Sequence, residues 1–128
     1  MSTKTYRDLL IWQRAMDLVE AVYRLSEQFP EREKFGLTSQ LQRAAVSVPA
    51  NIAEGYGRLH RGDYIHHLSI SRGSLAELET HVAIAVRLGF AKREDALYVW
   101  EIAQEVGKML RSMIQTMHRQ ETVKKGRR

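Results

Sequence analysis

Two acid–histidine pairs stand at helical spacing, Asp63 with His66 three positions on and Glu77 with His81 four positions on. On a helix each pair shares a face and offers two ligands to a metal. A di-metal carboxylate centre in a helical bundle needs two Glu-x-x-His repeats and two further inward carboxylates. The chain has one Asp-x-x-His and no second copy, and two ligands alone define no site, so neither a metal nor a cofactor is expected. There is no cysteine, which removes thiolate nucleophiles, thiolate metal sites and disulfides. No Gly-x-Ser-x-Gly, P-loop or dinucleotide fingerprint occurs; "GYG" at Gly55 to Gly57 reads as a helix end, and Gly73 with Ser74 as a place of close packing. No catalytic residues emerge, so a non-enzyme is expected. His60, His66 and His67 beside Arg58 and Arg61 read as a polar helix end able to meet phosphate.

The elements that would position these side chains are helices. From Asp8 to about Gln28, Trp12, Met16, Val19, Val22, Tyr23 and Ser26 recur at steps of three and four, with Asp8, Arg14, Asp17, Glu20, Arg24 and Glu27 on another face. Pro30 and Gly36 break the pattern in "FPEREKFG". A second helix follows from Leu37 to Gly55–Gly57. A third runs from Tyr64 to about Leu88, with Gly62 or Asp63 as its cap and Gly89 as its stop. Its apolar face is Leu68, Ser71, Leu75, Leu78, Val82 and Val86. A fourth, about Arg93 to His118, carries Val99, Ala103, Val106, Leu110, Met113 and Met117 at bundle spacing. Trp12 and Trp100 are expected in the core. Short connections imply antiparallel neighbours, so the fold class is all-α: an up-down-up-down four-helix bundle over 8–118, with an arm at 1–7 and a basic tail at 119–128.

One such domain fits 128 residues. The start "MSTKTYRDLLIWQRAMD" is charged too often for a signal peptide, and no apolar run is long enough for a membrane span, so a cytoplasmic protein is expected. The net charge is +5, from 20 Lys plus Arg against 15 Asp plus Glu. The closing "KKGRR" holds four of the cations; without it the balance is 16 against 15 and the body is nearly neutral. A basic tail attracts nucleic acid or an anionic surface, and it also serves as a solvated end.

The second helix is unusual. Leu37, Leu41, Ala44, Val48, Ile52 and Gly55 make one apolar face, while Val46, Ala50, Ala53 and Gly57 make another of small residues. Between them lies a polar stripe, Gln40, Arg43, Ser47, Asn51, Glu54 and Arg58. A helix apolar on two sides is expected to be buried on both, the second time against another subunit, and the stripe then needs partners, with Glu77 or Glu79 expected for Arg43. Pro49 in its middle costs about 3 kcal/mol in an ordinary helix interior and should bend it. One helix kinked at Pro49 is expected rather than two, with Asn51 satisfying a carbonyl that the proline frees.

The stretch "LLIWQRAMDLVEAVYRLSEQFPEREKFGLTSQLQRAAVSVPANIAEGYGR" with the later "YIHHLSISRGSLAELETHVAIAVRLGF" resembles the four-helix-bundle proteins encoded in intervening sequences of bacterial large-subunit ribosomal RNA genes. The resemblance covers about Tyr6 to Met117, with "SQLQRAAVSVPANIAEG" and "GSLAELET" its most specific parts. It implies an antiparallel four-helix bundle assembled as a homopentamer. A more distant similarity links it to the accessory variability protein of diversity-generating retroelements, a pentamer that binds nucleic acid through a basic surface. Two readings follow. The first is a homo-oligomeric scaffold or interaction module with Gln40, Arg43, Ser47, Pro49, Ala50, Asn51, Ala53 and Glu54 at its interface or buried stripe. The second is an RNA- or DNA-binding accessory protein using Arg58, Arg61, Lys124, Lys125, Arg127 and Arg128, multiplied by the oligomer.

Overall fold

The computed structural model describes residues 4–126, apart from the side chains of Lys124 and Lys125. Four helices account for nearly all of it: α1 Leu10–Ser26, α2 Leu37–Tyr56, α3 Arg61–Arg87 and α4 Arg93–Gly126, with single 3-10 turns at Tyr6–Asp8 and Glu31–Glu33. Each helix packs on the next, and α4 closes the ring against α1. Arg14 bonds Glu105 while Gln28 bonds Asp95, so α1 and α4 run in opposite directions. The Ser47–Ser74 and Asn51–His67 contacts set α2 against α3 in the same way, and Glu79–Gln104 with Arg61–Gln120 does so for α3 and α4.

Local chemistry explains the ends. Asp8 accepts from the backbone N–H groups of Lys4 and Thr5 at 3.0 and 3.2 Å, which turns the chain into α1. Glu33 reaches forward to the Leu37 N–H at 3.1 Å and caps α2. Gly89 stops α3 as expected: at φ 75° it lies in the left-handed region, and the Phe90 N–H returns to the Ala85 carbonyl at 2.8 Å. That turn brings Phe90 against Phe29, ring centroids 6.1 Å apart.

The core contains the expected inner faces of α2, α3 and α4, with Leu41, Val48, Ile52, Leu68, Leu78, Val106 and Leu110 fully enclosed. Four expectations need correction. The inward stripe of α1 is Ile11, Ala15, Leu18, Val22 and Leu25; Met16 and Tyr23 are exposed, and Trp12 and Val19 are half-buried at the edge. Trp100 is 48% exposed rather than core. Helix α3 begins at Arg61, with His60 at the cap position making no side-chain cap bond, so Asp63 lies in the first turn, where its charge suits the helix dipole. Helix α4 continues past His118 to Gly126, because nothing between Arg119 and Lys125 breaks a helix.

Gly73 does not serve close packing within the chain: a Cβ added there meets nothing within 4 Å. It sits mid-helix in α3, where glycine costs up to about 1 kcal/mol relative to alanine. Gly73→Ala is therefore expected to raise stability by about that amount, read from the urea midpoint at constant slope.

Candidate assembly face and polar seam

Helix α2 runs unbroken through Pro49, as expected of one helix rather than two. Its inner face fills the core, and its polar stripe is divided between the bundle and solvent. Ser47 is half-buried and accepts from the Ser74 hydroxyl at 2.8 Å and from Asn51 Nδ2 at 3.0 Å. Asn51 Nδ2 also donates to the Ser47 carbonyl at 2.9 Å, and its Oδ1 lies 3.0 Å from His67 Nδ1. Ser71, fully buried on α3, donates to the Val48 carbonyl at 2.9 Å. These bonds join α2 to α3 where Gly55 lets the helices approach: a Cβ on Gly55 would lie 2.9 Å from His67 Cβ. Asn51 thus serves the Ser47 carbonyl and not that of Ala45, the one Pro49 leaves without its usual donor, because two residues of helix carry its amide past Ala45.

The rest of the stripe is not buried within the chain. Gln40, Arg43 and Glu54 are exposed. Glu54 pairs with Arg58 one turn on at 2.6 Å, its carboxylate 4.0 Å from His67 Nε2. Arg43 makes no ion pair within 4.0 Å among the described residues. Its expected partner Glu79 instead accepts from Gln104 at 2.8 Å on α4, because Glu79 lies on the opposite flank of α3. Glu77 and Arg43 share a hollow of about 400 Å³ with His81, whose buried Nδ1 has no hydrogen-bond partner among the described residues. Among the described residues no three His, Cys, Asp or Glu side chains converge as metal ligands.

Outside the seam lies the second face of α2. Ala50, Val46 and Gly57 are exposed and Ala53 is half-buried. The Gln42–Ser26 bond shows which flank of α2 meets α1, and on that flank α1 presents Trp12, Met16, Val19 and Tyr23. On the other flank α3 presents Ile70 and Ile84, both exposed. The apolar face therefore spans α1 and α2, with the small residues of α2 along it, and the polar seam with its hollow of Arg43, Glu77 and His81 separates it from Ile70 and Ile84. Of the α1 stripe that periodicity assigned to the core, Val22 and Ser26 are buried as expected, while Trp12, Met16, Val19 and Tyr23 belong to this face.

Of the residues expected to contact nucleic acid, Arg58 is engaged by Glu54 and Arg61 by Gln120. Arg127, Arg128 and the side chains of Lys124 and Lys125 lie outside the described residues. At the same end Tyr64 Oη is buried with no hydrogen-bond partner, its ring 6.2 Å from Tyr56. Burial, with a smaller contribution from Tyr56, pushes its phenol up to about 12 from 10.0. Between those values the unfolded chain ionises and the folded one does not, so stability falls as pH rises from 10 to 12. Tyr64→Phe is expected to remove that alkaline component and to be neutral or stabilising by up to about 1 kcal/mol at neutral pH, checked by thermal melts across pH.

The family model for the 23S rRNA-intervening sequence protein matches residues 7–112. The chain belongs to that family. In this intervening-sequence protein the matched span holds α1 to α3, most of α4 and the whole apolar face. A solved protein of unknown function from the S23 ribosomal protein family of Bacteroides thetaiotaomicron is similar, with a TM-score of 0.76 at 24% identity over 82% of this chain and 98% of that one. At that identity the likeness establishes the fold. No curated protein matches this intervening-sequence protein. Among its described residues no helix is long and apolar enough to cross a membrane.

Proposed function

We propose that this intervening-sequence protein is a non-catalytic module that associates with copies of itself, a homopentamer in the cytoplasm, and acts as a scaffold or interaction unit. The observation that carries this reading is the exposed apolar face across α1 and α2. Contiguous exposed apolar patches mark interaction sites on soluble proteins. The small residues along α2 allow a second helix to come close, and the flanking Met16 and Tyr23 supply bulk. A compact monomer of 14.8 kDa exposes about 7,000 Å². This chain exposes 8456 Å². Arg43, at the rim and without an ion pair among the described residues, supplies a charge for the neighbour to meet. Light scattering on the full chain at micromolar concentration tests the reading: a mass of several subunits is expected, and a monomer would overturn it.

A further inference from the structure

The nearly neutral body hides a separation of charge. Along the groove between α1 and α4, Asp17, Glu20, Glu101 and Glu105 stand against Arg14 and Arg24, and Arg14 is spent on Glu105 and Asp17 at 2.7 and 3.1 Å. The face where α3 and α4 meet solvent is the reverse. Helical positions place Arg72 and Arg87 on it from α3 and Arg93 and Arg111 from α4. All four are exposed, and none makes an ion pair within 4.0 Å among the described residues. The Glu79–Gln104 and Arg61–Gln120 bonds fix the register and set Arg87 level with Arg93 and Arg72 level with Arg111. At the helical rise these two like-charged pairs stand roughly 22 to 27 Å apart. Trp100 lies between them and is 48% exposed. On this stretch of the face the carboxylate among the described residues is Glu79, half-buried and held by Gln104.

Cations set opposite one another without a carboxylate repel, and nothing in the packing of α3 on α4 calls for them. Arginine forks match phosphate oxygens, and an exposed indole offers a face on which an unpaired base can stack. We propose that the α3–α4 face binds single-stranded nucleic acid, with a base stacked on Trp100 and phosphates held by the arginine pairs on either side. A single strand fits better than a duplex, whose bases are already stacked on one another. The proposal is independent of self-association, since the apolar face lies elsewhere on the bundle.

The test uses full-length Trp12→Phe protein, in which Trp100 is the remaining tryptophan of two, titrated with a short oligouridylate. Quenching of Trp100 emission is expected. Binding should weaken by about fifty-fold between 50 and 200 mM salt, the result of neutralising about four phosphates on a single strand. R87E/R93E in that background should bind at least about tenfold more weakly, and so should R72A/R111A, which guards against one pair failing to fold; both should keep the parent's helical circular dichroism. Arg58→Glu should bind as the parent does. No quenching at 50 mM salt would overturn the proposal, as would folded arginine variants that bind normally. If R87E/R93E instead changes the native mass while the parent ignores the oligonucleotide, the face is a subunit contact and the proposal fails. Native mass measured on the chain with Trp12 intact, since Trp12 lies on the apolar face, separates the two readings: a monomer there, with Trp100 quenched in the variant, sinks self-association alone, and an oligomer that does not bind sinks this proposal alone.

Discussion

Under the self-association proposed above, Ala50→Arg should leave a folded monomer. Ala50 is exposed on the outer side of α2, so within one chain an arginine there extends into water and costs the bundle little. In an assembly built on the α2 face it would place a long cation where the neighbour's backbone approaches. A buried, unpaired charge costs several kcal/mol, and each 1.4 kcal/mol is a tenfold loss of affinity, so association should weaken by about a thousandfold or more. The expected result is an unchanged helical circular dichroism spectrum with a light-scattering mass near the 14.8 kDa of one chain. Retention of the native mass would place the interface on another face. Self-association itself would still stand.

The second large effect is at Gly55, where Gly55→Val should cost about 3 kcal/mol, the upper end of the usual range for overpacking. Glycine in a helix interior is normally a weakness, and by propensity alone a larger residue would help. Here the added Cβ would stand 2.9 Å from both His67 Cβ and Tyr64 Cδ1, and 3.3 Å from the Tyr64 carbonyl oxygen. Backbone-linked atoms cannot swing aside, so α2 and α3 must part, and the nearby Asn51–His67 bond at 3.0 Å is then lost. Denaturant titration reads this directly. A valine variant as stable as the native chain would mean that the helices separate there without cost. The contrast with Gly73, where substitution meets open space, makes the pair of glycines a test of local packing as opposed to propensity.

Much of the bundle was legible because period and punctuation agree along the chain. The α2 core face and the Gly89 stop were readable since each follows from local spacing or backbone conformation. What was not legible in α1 is instructive. It carries two apolar stripes side by side, and periodicity finds stripes without saying which faces inward. Burial decides between them: Leu18 and Leu25 are sealed, while Met16 and Tyr23 are open. The polar stripe of α2 was recognised as a set but not in its pairings, because partners such as Ser74 and His67 come from a helix whose register the sequence does not specify. The four arginines on either side of Trp100 were not legible for the same reason: they lie on two helices whose register the sequence does not specify, and a net charge averages them against the carboxylates of the opposite groove. The end of α4 was not legible because its apolar positions stop at Met117, and residues without core contacts remain helical when they continue a helix already nucleated.

That continuation changes the mechanics of the chain's basic end. Gln120 is level with the start of α3, and six further residues of helix carry the backbone about 9 Å beyond it. A flexible tether sweeps a volume and must surrender that freedom whenever it binds. A cantilever holds its tip at one height and bearing. It reaches fewer places but forfeits less entropy at the place it reaches, and a sideways force at the tip becomes a torque on the buried turns of α4 around Leu110 and Ile114.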